Sequence, residues 1–137
     1  MSEIKKSAPR EIPPVLALAY LGDAYHSLWV RRRLVDRGIT TPGGLNSAAA
    51  AYVTAETQAR AFALIESHLT ESERDLCRRA RNNRHLNGPR HSSRGEYRDA
   101  TALEALLGYL TYIGDDARAE ELLLAALEGG YGDENEK

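Results

Sequence analysis

The chain has 137 residues, 42% hydrophobic and 28% charged, the make-up of one soluble domain large enough to bury a real core. A single cysteine, Cys77, excludes a disulfide framework and a cysteine-based zinc site, and no apolar run is both long and charge-free enough to span a bilayer. The formal net charge of −2 conceals segregation: between positions 78 and 98 seven arginines (78, 79, 81, 84, 90, 94 and 98) stand against one acid, Glu96, so that segment carries +6 and the remainder −8.

The elements read as helices throughout. The polar start MSEIKKSAPREIPP lacks the apolar centre of a signal peptide, which makes the cytoplasm the default compartment. Pro13 and Pro14 suit a first helical turn, and the helix they open is expected to run to about Asp36 and stop at Gly38. Its tail, Arg31-Arg32-Arg33, puts cations where the helix dipole favours them. Thr40-Thr41-Pro42-Gly43-Gly44 reads as a connector before a short alanine-rich helix over 45–52. Thr54 caps a helix over 55–67, and Thr70-Glu71-Ser72-Glu73 is a capping-box pattern opening a helix to about Arg81. Residues 82–96 (NNRHLNGPRHSSRGE) hold almost nothing apolar and read as a loop of functional length. Helix resumes near Tyr97 and runs to Ile113; Gly114 breaks it, and Asp115 or Asp116 caps a last helix to about Glu128. The expected core is about 13–128, with 1–12 and 129–137 as mobile tails. Neither a strand pattern nor an internal repeat is present.

Two of these helices carry the chemistry. Residues 15–30 (VLALAYLGDAYHSLWV) have Asp23 as their only charge, and residues 101–113 (TALEALLGYLTYI) have Glu104 as theirs. Helices this apolar around their circumference belong inside a fold, where an ionised carboxylate is costly unless something compensates it. A single such acid is commonly one half of a structural salt bridge; two of them, both expected to be buried, point to a shared cation. Gly22 and Ala19 flank Asp23, and Ala100 and Gly108 flank Glu104, so two helix backbones can approach closely enough for the acids to face each other. All-oxygen ligands in a tight pocket suit Mg²⁺, with Mn²⁺ as a substitute, better than zinc.

The arginines suit a phosphodiester backbone, and Asn, Ser and His among them add hydrogen bonds to ribose and base edges. With no RNP-like aromatic pair and no zinc-finger spacing, single-strand stacking is not indicated. Double-stranded RNA would be read by shape and 2′-hydroxyls. The plain alternative is a solvated surface loop. His26, one turn from Asp23, reads first as a satisfied core histidine. His68, His85 and His91 have no ligand spacing, Cys77 reads as a small packing residue, and Trp29 as core or subunit contact.

These residues also carry a family likeness. Residues 17–24 (ALAYLGDA) and 97–110 (YRDATALEALLGYL) resemble the two signatures of mini-ribonuclease III, and Arg78-Arg79-Ala80-Arg81-Asn82 resembles that family's basic R-G-R-N-type element. The likeness runs from about Val15 to Leu127. It implies a single all-α domain of the ribonuclease III endonuclease type, acting as a homodimer with one catalytic centre per protomer. It further implies Mg²⁺-dependent cleavage of double-stranded RNA to 5′-phosphate and 3′-hydroxyl ends, in maturation of the 23S ribosomal RNA precursor. Asp23 matches the family's catalytic aspartate and Glu104 its metal-binding glutamate. Arg78, Arg79, Arg81, Asn82, Arg84 and Arg98 are the expected RNA-binding residues, because the chain is too short for a separate double-stranded-RNA-binding domain.

Two departures bear on the site. Ordinary ribonuclease III has a further carboxylate four residues before the aspartate and another three before the glutamate; here those positions are Ala19 and Thr101. Two protein carboxylates remain, which leaves water and RNA phosphate to complete a metal shell. Asp99, five residues from Glu104, lies off its helical face and cannot replace them. The rival readings are a catalytically silent RNA-binding or ribosome-assembly module, which has no need of the two acids, and a helical metal-dependent nucleotide hydrolase, which normally clusters more carboxylates.

Overall fold

The computed structural model describes residues 11–86 and 93–132, and among them every regular element is helical. Six α-helices follow in order: α1 Val15–Asp36, α2 Pro42–Val53, α3 Ala55–Ile65, α4 Glu71–Arg81, α5 Arg94–Tyr112 and α6 Asp116–Glu128, with a 3₁₀ turn, Glu66–His68, between α3 and α4. The expected order of helices is the order found, and three boundaries differ for local reasons. Pro42 starts α2 rather than preceding it, because Thr41 caps the helix by accepting from the Gly44 N–H at 3.1 Å. The 3₁₀ turn takes the last residues expected in α3. The third difference lies in the expected loop. Ser93 and Glu96 form a full capping box, the Ser93 hydroxyl accepting from the Glu96 N–H and the Glu96 carboxylate accepting from the Ser93 N–H, so α5 begins at Arg94. Part of that loop, residues 87–92 with Arg90 and His91, lies outside the described residues.

Helix α5 is apolar on nearly every side, and the fold closes around it. It packs against α1, α3, α4 and α6, and Ala102, Leu103, Ala105, Leu106 and Leu107 have no exposed surface. Cys77 is buried in the same core, as its reading as a packing residue requires, and burial pushes its thiol up to about 12. Trp29 is half-buried against the core.

The closest helix contact is the crossing of α1 and α5. A Cβ built on Gly22 would fall on the carbonyl oxygen of Glu104 and 2.8 Å from the Gly108 nitrogen; one built on Gly108 would fall on the carbonyl oxygen of Leu18 and 2.9 Å from the Gly22 nitrogen. The two glycines therefore let backbone rest on backbone.

Two further features fix the periphery. Glu73 closes the α4 capping box by accepting from the Thr70 N–H at 2.9 Å and also receives the Arg118 fork, Nη2 at 2.8 Å and Nε at 3.0 Å. Arg118 spans from there to the His68 carbonyl, at 2.8 Å, tying α6 to α4. Arg118, the Thr70 N–H and the Thr70 hydroxyl all hold the Glu73 carboxyl below the usual carboxylate range, Arg118 most strongly, while burial opposes them. With Glu73 8% and Arg118 18% exposed, Glu73→Gln is expected to cost about 1–2 kcal/mol at neutral pH, because it removes the carboxylate at the centre of the fork while Glu121 and the His68 carbonyl still hold Arg118. Because the folded pKa is the lower one, this stabilisation is complete above the ordinary glutamate range and is lost as pH falls through the depressed value. Thermal melts should therefore separate wild type from the variant at pH 7 and converge in acid.

The second feature corrects the expected tail. Gly129 caps α6 and Gly130, at φ +105°, reverses the chain, so the Tyr131 N–H bonds the Ala126 carbonyl at 2.9 Å and the Gly130 N–H the Leu127 carbonyl at 3.0 Å. This Schellman turn swings Tyr131 into the core, where it is fully buried. Residues 1–10 and 133–137 lie outside the described residues.

Candidate active site

Asp23 projects from α1 one residue after Gly22, and Glu104 sits on α5 at the point where Gly22 touches it. The glycine crossing thus brings the two acids together on the wall of one cleft. The expectation that both are buried is corrected: Asp23 is exposed and Glu104 half-buried, because α1 turns Ala17, Tyr20, Asp23 and Ala24 outward while α5 is enclosed. The acids face a cleft of about 360 Å³, which Ala19, Tyr20, His85, Leu86, Tyr97 and Thr101 also line.

Electrostatics set Glu104 apart. Burial, the negative charge of Asp23 and the hydrogen bond to Asp23 push its carboxyl up to about 8, against a hydrogen bond from Gln58 that favours the ionised form. Two carboxyls whose charges oppose each other across one cleft are a site that gains from a positive charge. Their donor set is all oxygen and lies in an open cleft, which fits a hard divalent cation that keeps waters and takes up phosphate. The Thr101 hydroxyl donates to the Tyr97 carbonyl at 2.9 Å, and its neutral oxygen brings no negative charge in place of the missing carboxylate. No group of three or more His, Cys, Asp or Glu side chains suited to a metal occurs among the described residues.

The predicted RNA-binding residues lie at the α4–α5 junction, and none of them lines the cleft itself. Arg78 and Arg79 are exposed and both reach Asp75, at 2.7 and 3.3 Å. Arg81 pairs with Asp99 at 2.5 Å, and the Arg98 guanidinium donates to the Arg81 carbonyl, so these two also join α4 to α5. Asn82, the C-cap of α4, and Arg84 are exposed. Arg84 and Arg98 are chain neighbours of His85 and Tyr97, which do line the cleft.

The sequence reading missed the residues behind the acids. His26 is 1% exposed and Gln58 3%, and their side chains bond at 3.2 Å between Gln58 Nε2 and His26 Nδ1. His26 Nε2 lies 2.5 Å from the Tyr131 hydroxyl, which donates to the Tyr52 carbonyl at 2.7 Å. Burial drives the His26 pKa down to about 4, against the pull of Asp23, so the ring is neutral. His26 is thus the satisfied core histidine expected. Only its neighbour Asp23, one turn away, hinted at more, and nothing in the sequence pointed to Gln58 or Tyr131.

A helical domain with two crossing-helix carboxylates in an open cleft defines a class, and comparison with known proteins assigns it. The chain belongs to the ribonuclease III family: the ribonuclease III domain matches residues 16–115. Within that family its relatives are the mini-ribonucleases 3. The Mini-ribonuclease 3 of Symbiobacterium thermophilum is 41% identical over 120 residues, covering 88% of this chain and 92% of that protein. The Mini-ribonuclease 3 of Streptococcus pneumoniae is 38% identical over 110 residues, covering 79% and 86%. The crystal structure of a protein from Fusobacterium nucleatum superposes with a TM-score of 0.75 at 30% identity, over 84% of this chain and 92% of that one. The chain is accordingly an endoribonuclease, a hydrolase of phosphodiester bonds.

Proposed function

We propose that the chain is a divalent-metal-dependent endonuclease for double-stranded RNA, with Asp23 and Glu104 as its metal ligands and catalytic residues. The observation that carries this reading is the carboxylate pair, whose mutual repulsion at the mouth of an open cleft is relieved by a cation. Mg²⁺, with Mn²⁺ as substitute, fits two oxygen ligands with water and phosphate completing the shell. Bound there, such an ion supplies an activated water and neutralises charge building on the phosphoryl group. The protein's own part is to hold both carboxylates at one spacing across the Gly22–Gly108 contact and to leave one side of the pair open to a wide substrate. The products are then 5′-phosphate and 3′-hydroxyl ends.

Arg78, Arg79, Arg81, Asn82, Arg84 and Arg98 form the basic face beside the cleft and hold the RNA backbone. Arg81 and Arg98 do so while joined to α5, which fixes the face relative to Glu104. Each phosphate contact on a duplex contributes about 0.9 to the slope of log affinity against log salt. Arg84→Ala is therefore expected to weaken duplex binding at low salt and lower that slope by about one, as read by filter binding over a salt series.

The substrate we assign is a stem of the 23S ribosomal RNA precursor, met in the cytoplasm by a homodimer. No helix among the described residues is long and apolar enough to cross a membrane. Supporting the homodimer are large apolar side chains left in solvent, Tyr20 at 85%, Leu28 at 57% and Val35 at 55% exposure. The test is cleavage of a precursor stem with Mg²⁺, beside an EDTA control, with sedimentation of the same sample. Discrete products lost in EDTA, from a particle of twice the chain mass, are expected. Binding without cleavage in either Mg²⁺ or Mn²⁺ would leave a silent RNA-binding module.

A further inference from the structure

Asp23 lines a second opening besides the cleft, a groove of about 310 Å³ between α1 and α2. Asp23, Ser27 and Arg31 follow at four-residue steps along one ridge of α1, and Asn46, Ala50 and Val53 form a matching ridge on α2. Along α1 the cleft takes residues before Asp23, among them Ala19 and Tyr20, and the groove takes residues after it. The two openings therefore meet at Asp23 and extend from it in opposite directions along the helix. The α2 wall belongs to the run Ala48-Ala49-Ala50-Ala51, whose single methyls leave room beside α1, and α2 carries no charged residue. Among the described residues that line the groove, Arg31 is the one cation and Asp23 the one acid. Arg31 is exposed and opens the Arg31-Arg32-Arg33 run, which has no part in the basic face at the α4–α5 junction. Ser27 and Asn46 add a hydroxyl and an amide to the walls.

We propose that this groove is a second track for the RNA backbone, with Arg31 holding a phosphate across Asp23 from the basic face, and Ser27 and Asn46 donating to backbone oxygens between. This rests on the double-stranded RNA reading above. Arg31 lies eight residues from Asp23, about 12 Å along α1. A duplex strand presents a phosphate about every 3 Å of its axis, so Arg31 meets one about four steps from the phosphodiester at the acids. A small-residue wall and a lone cation at its far end suit an extended anionic strand, which needs width and a charge to fasten to. Gripped on both flanks of the acids, a duplex cannot pivot about them, and one phosphodiester is kept in register with the carboxylate pair.

The test is filter binding of a short RNA duplex in EDTA over a salt series. Arg31→Ala is expected to weaken binding several-fold at low salt and to lower the salt slope by about one. Combined with Arg84→Ala the slope should fall by about two, because the contacts are separate. Ala50 gives a readout that a structural role would not move. It is exposed on α2, and Glu and Lys are both good helix formers, so either replacement keeps the fold. Ala50→Glu is expected to weaken duplex binding and Ala50→Lys to tighten it. Trimming the duplex on one side of its cleavage point should abolish the difference between wild type and Arg31→Ala, and trimming the other side should preserve it. Affinity unchanged in Arg31→Ala, or weakened alike by both Ala50 variants, overturns the track. If Arg31→Ala and Ala50→Glu instead keep their affinity and sediment at a lower mass than wild type, the groove is a contact between copies and the assignment falls. Wild-type protein that binds no duplex RNA overturns the reading on which the track rests, a result distinct from any difference among variants.

Discussion

Asp23→Asn and Glu104→Gln are each expected to lose cleavage by about three decades or more while holding duplex RNA, since each removes one of the two proposed cation ligands, worth several kcal/mol at the transition state. The retained affinity follows from where the basic face lies: none of its arginines pairs with either acid, and their partners are Asp75, Asp99 and a backbone carbonyl. Stability is the more telling readout. In a protein where these acids served as structural ion-pair members, neutralising one would lower the melting temperature. Here burial and Asp23 both work against the charge on Glu104, so each variant should melt at or above wild type in EDTA. A single-turnover cleavage assay with a melt of the same preparation decides. Retained cleavage in either variant sinks the site, and a clear drop in melting temperature makes the acids structural.

Gly22→Ala and Gly108→Ala are expected to be among the most damaging one-methyl changes in the chain, about 3 kcal/mol or more, because the added carbon meets main chain that no rotamer change can move aside. For a domain of this size that lowers the melting temperature by about 10 °C. Gly43→Ala is the control. It lies in α2 with nothing within 4 Å of the new carbon, so helix propensity should leave it neutral or slightly stabilised. Should Gly22→Ala fold, the same wedge parts α1 from α5 where Asp23 meets Glu104, so activity should fall further than the melt explains. Equal melts for Gly22→Ala and Gly43→Ala would show that the two helices are not in backbone contact.

Where the chemistry was local, the sequence announced it. The Thr70-x-x-Glu73 box, the stop at Gly38 and the small residues around Asp23 and Glu104 act within one or two turns, and each helix they mark is present. The same signal at Ser93-x-x-Glu96 went unread because Gly, Pro and His surround it, and α5 starts earlier for that reason. Asp23 misled in a different way. A helix apolar on nearly all sides does not declare which side faces a cleft, and over residues 15–30 the exposed stripe of α1 (Ala17, Tyr20, Ala24, Leu28) carries no charge but Asp23 itself. The His26–Tyr131 bond joins positions 105 residues apart, and the Gly-Gly-Tyr-Gly run that delivers Tyr131 has the composition of a tail. No periodicity encodes such a pair; only the closed fold brings it together.

Because α5 is the axle around which four other helices close, the proposed catalytic pair is assembled only as the domain folds. Glu104 cannot be presented by a fragment, a frayed end or a collapsed intermediate, since it reaches Asp23 only once α5 is wrapped and α1 is seated on it. A cell that must keep an RNA-cutting activity away from half-made or damaged copies gets that safeguard from topology alone: a copy that has lost its core has also lost its teeth.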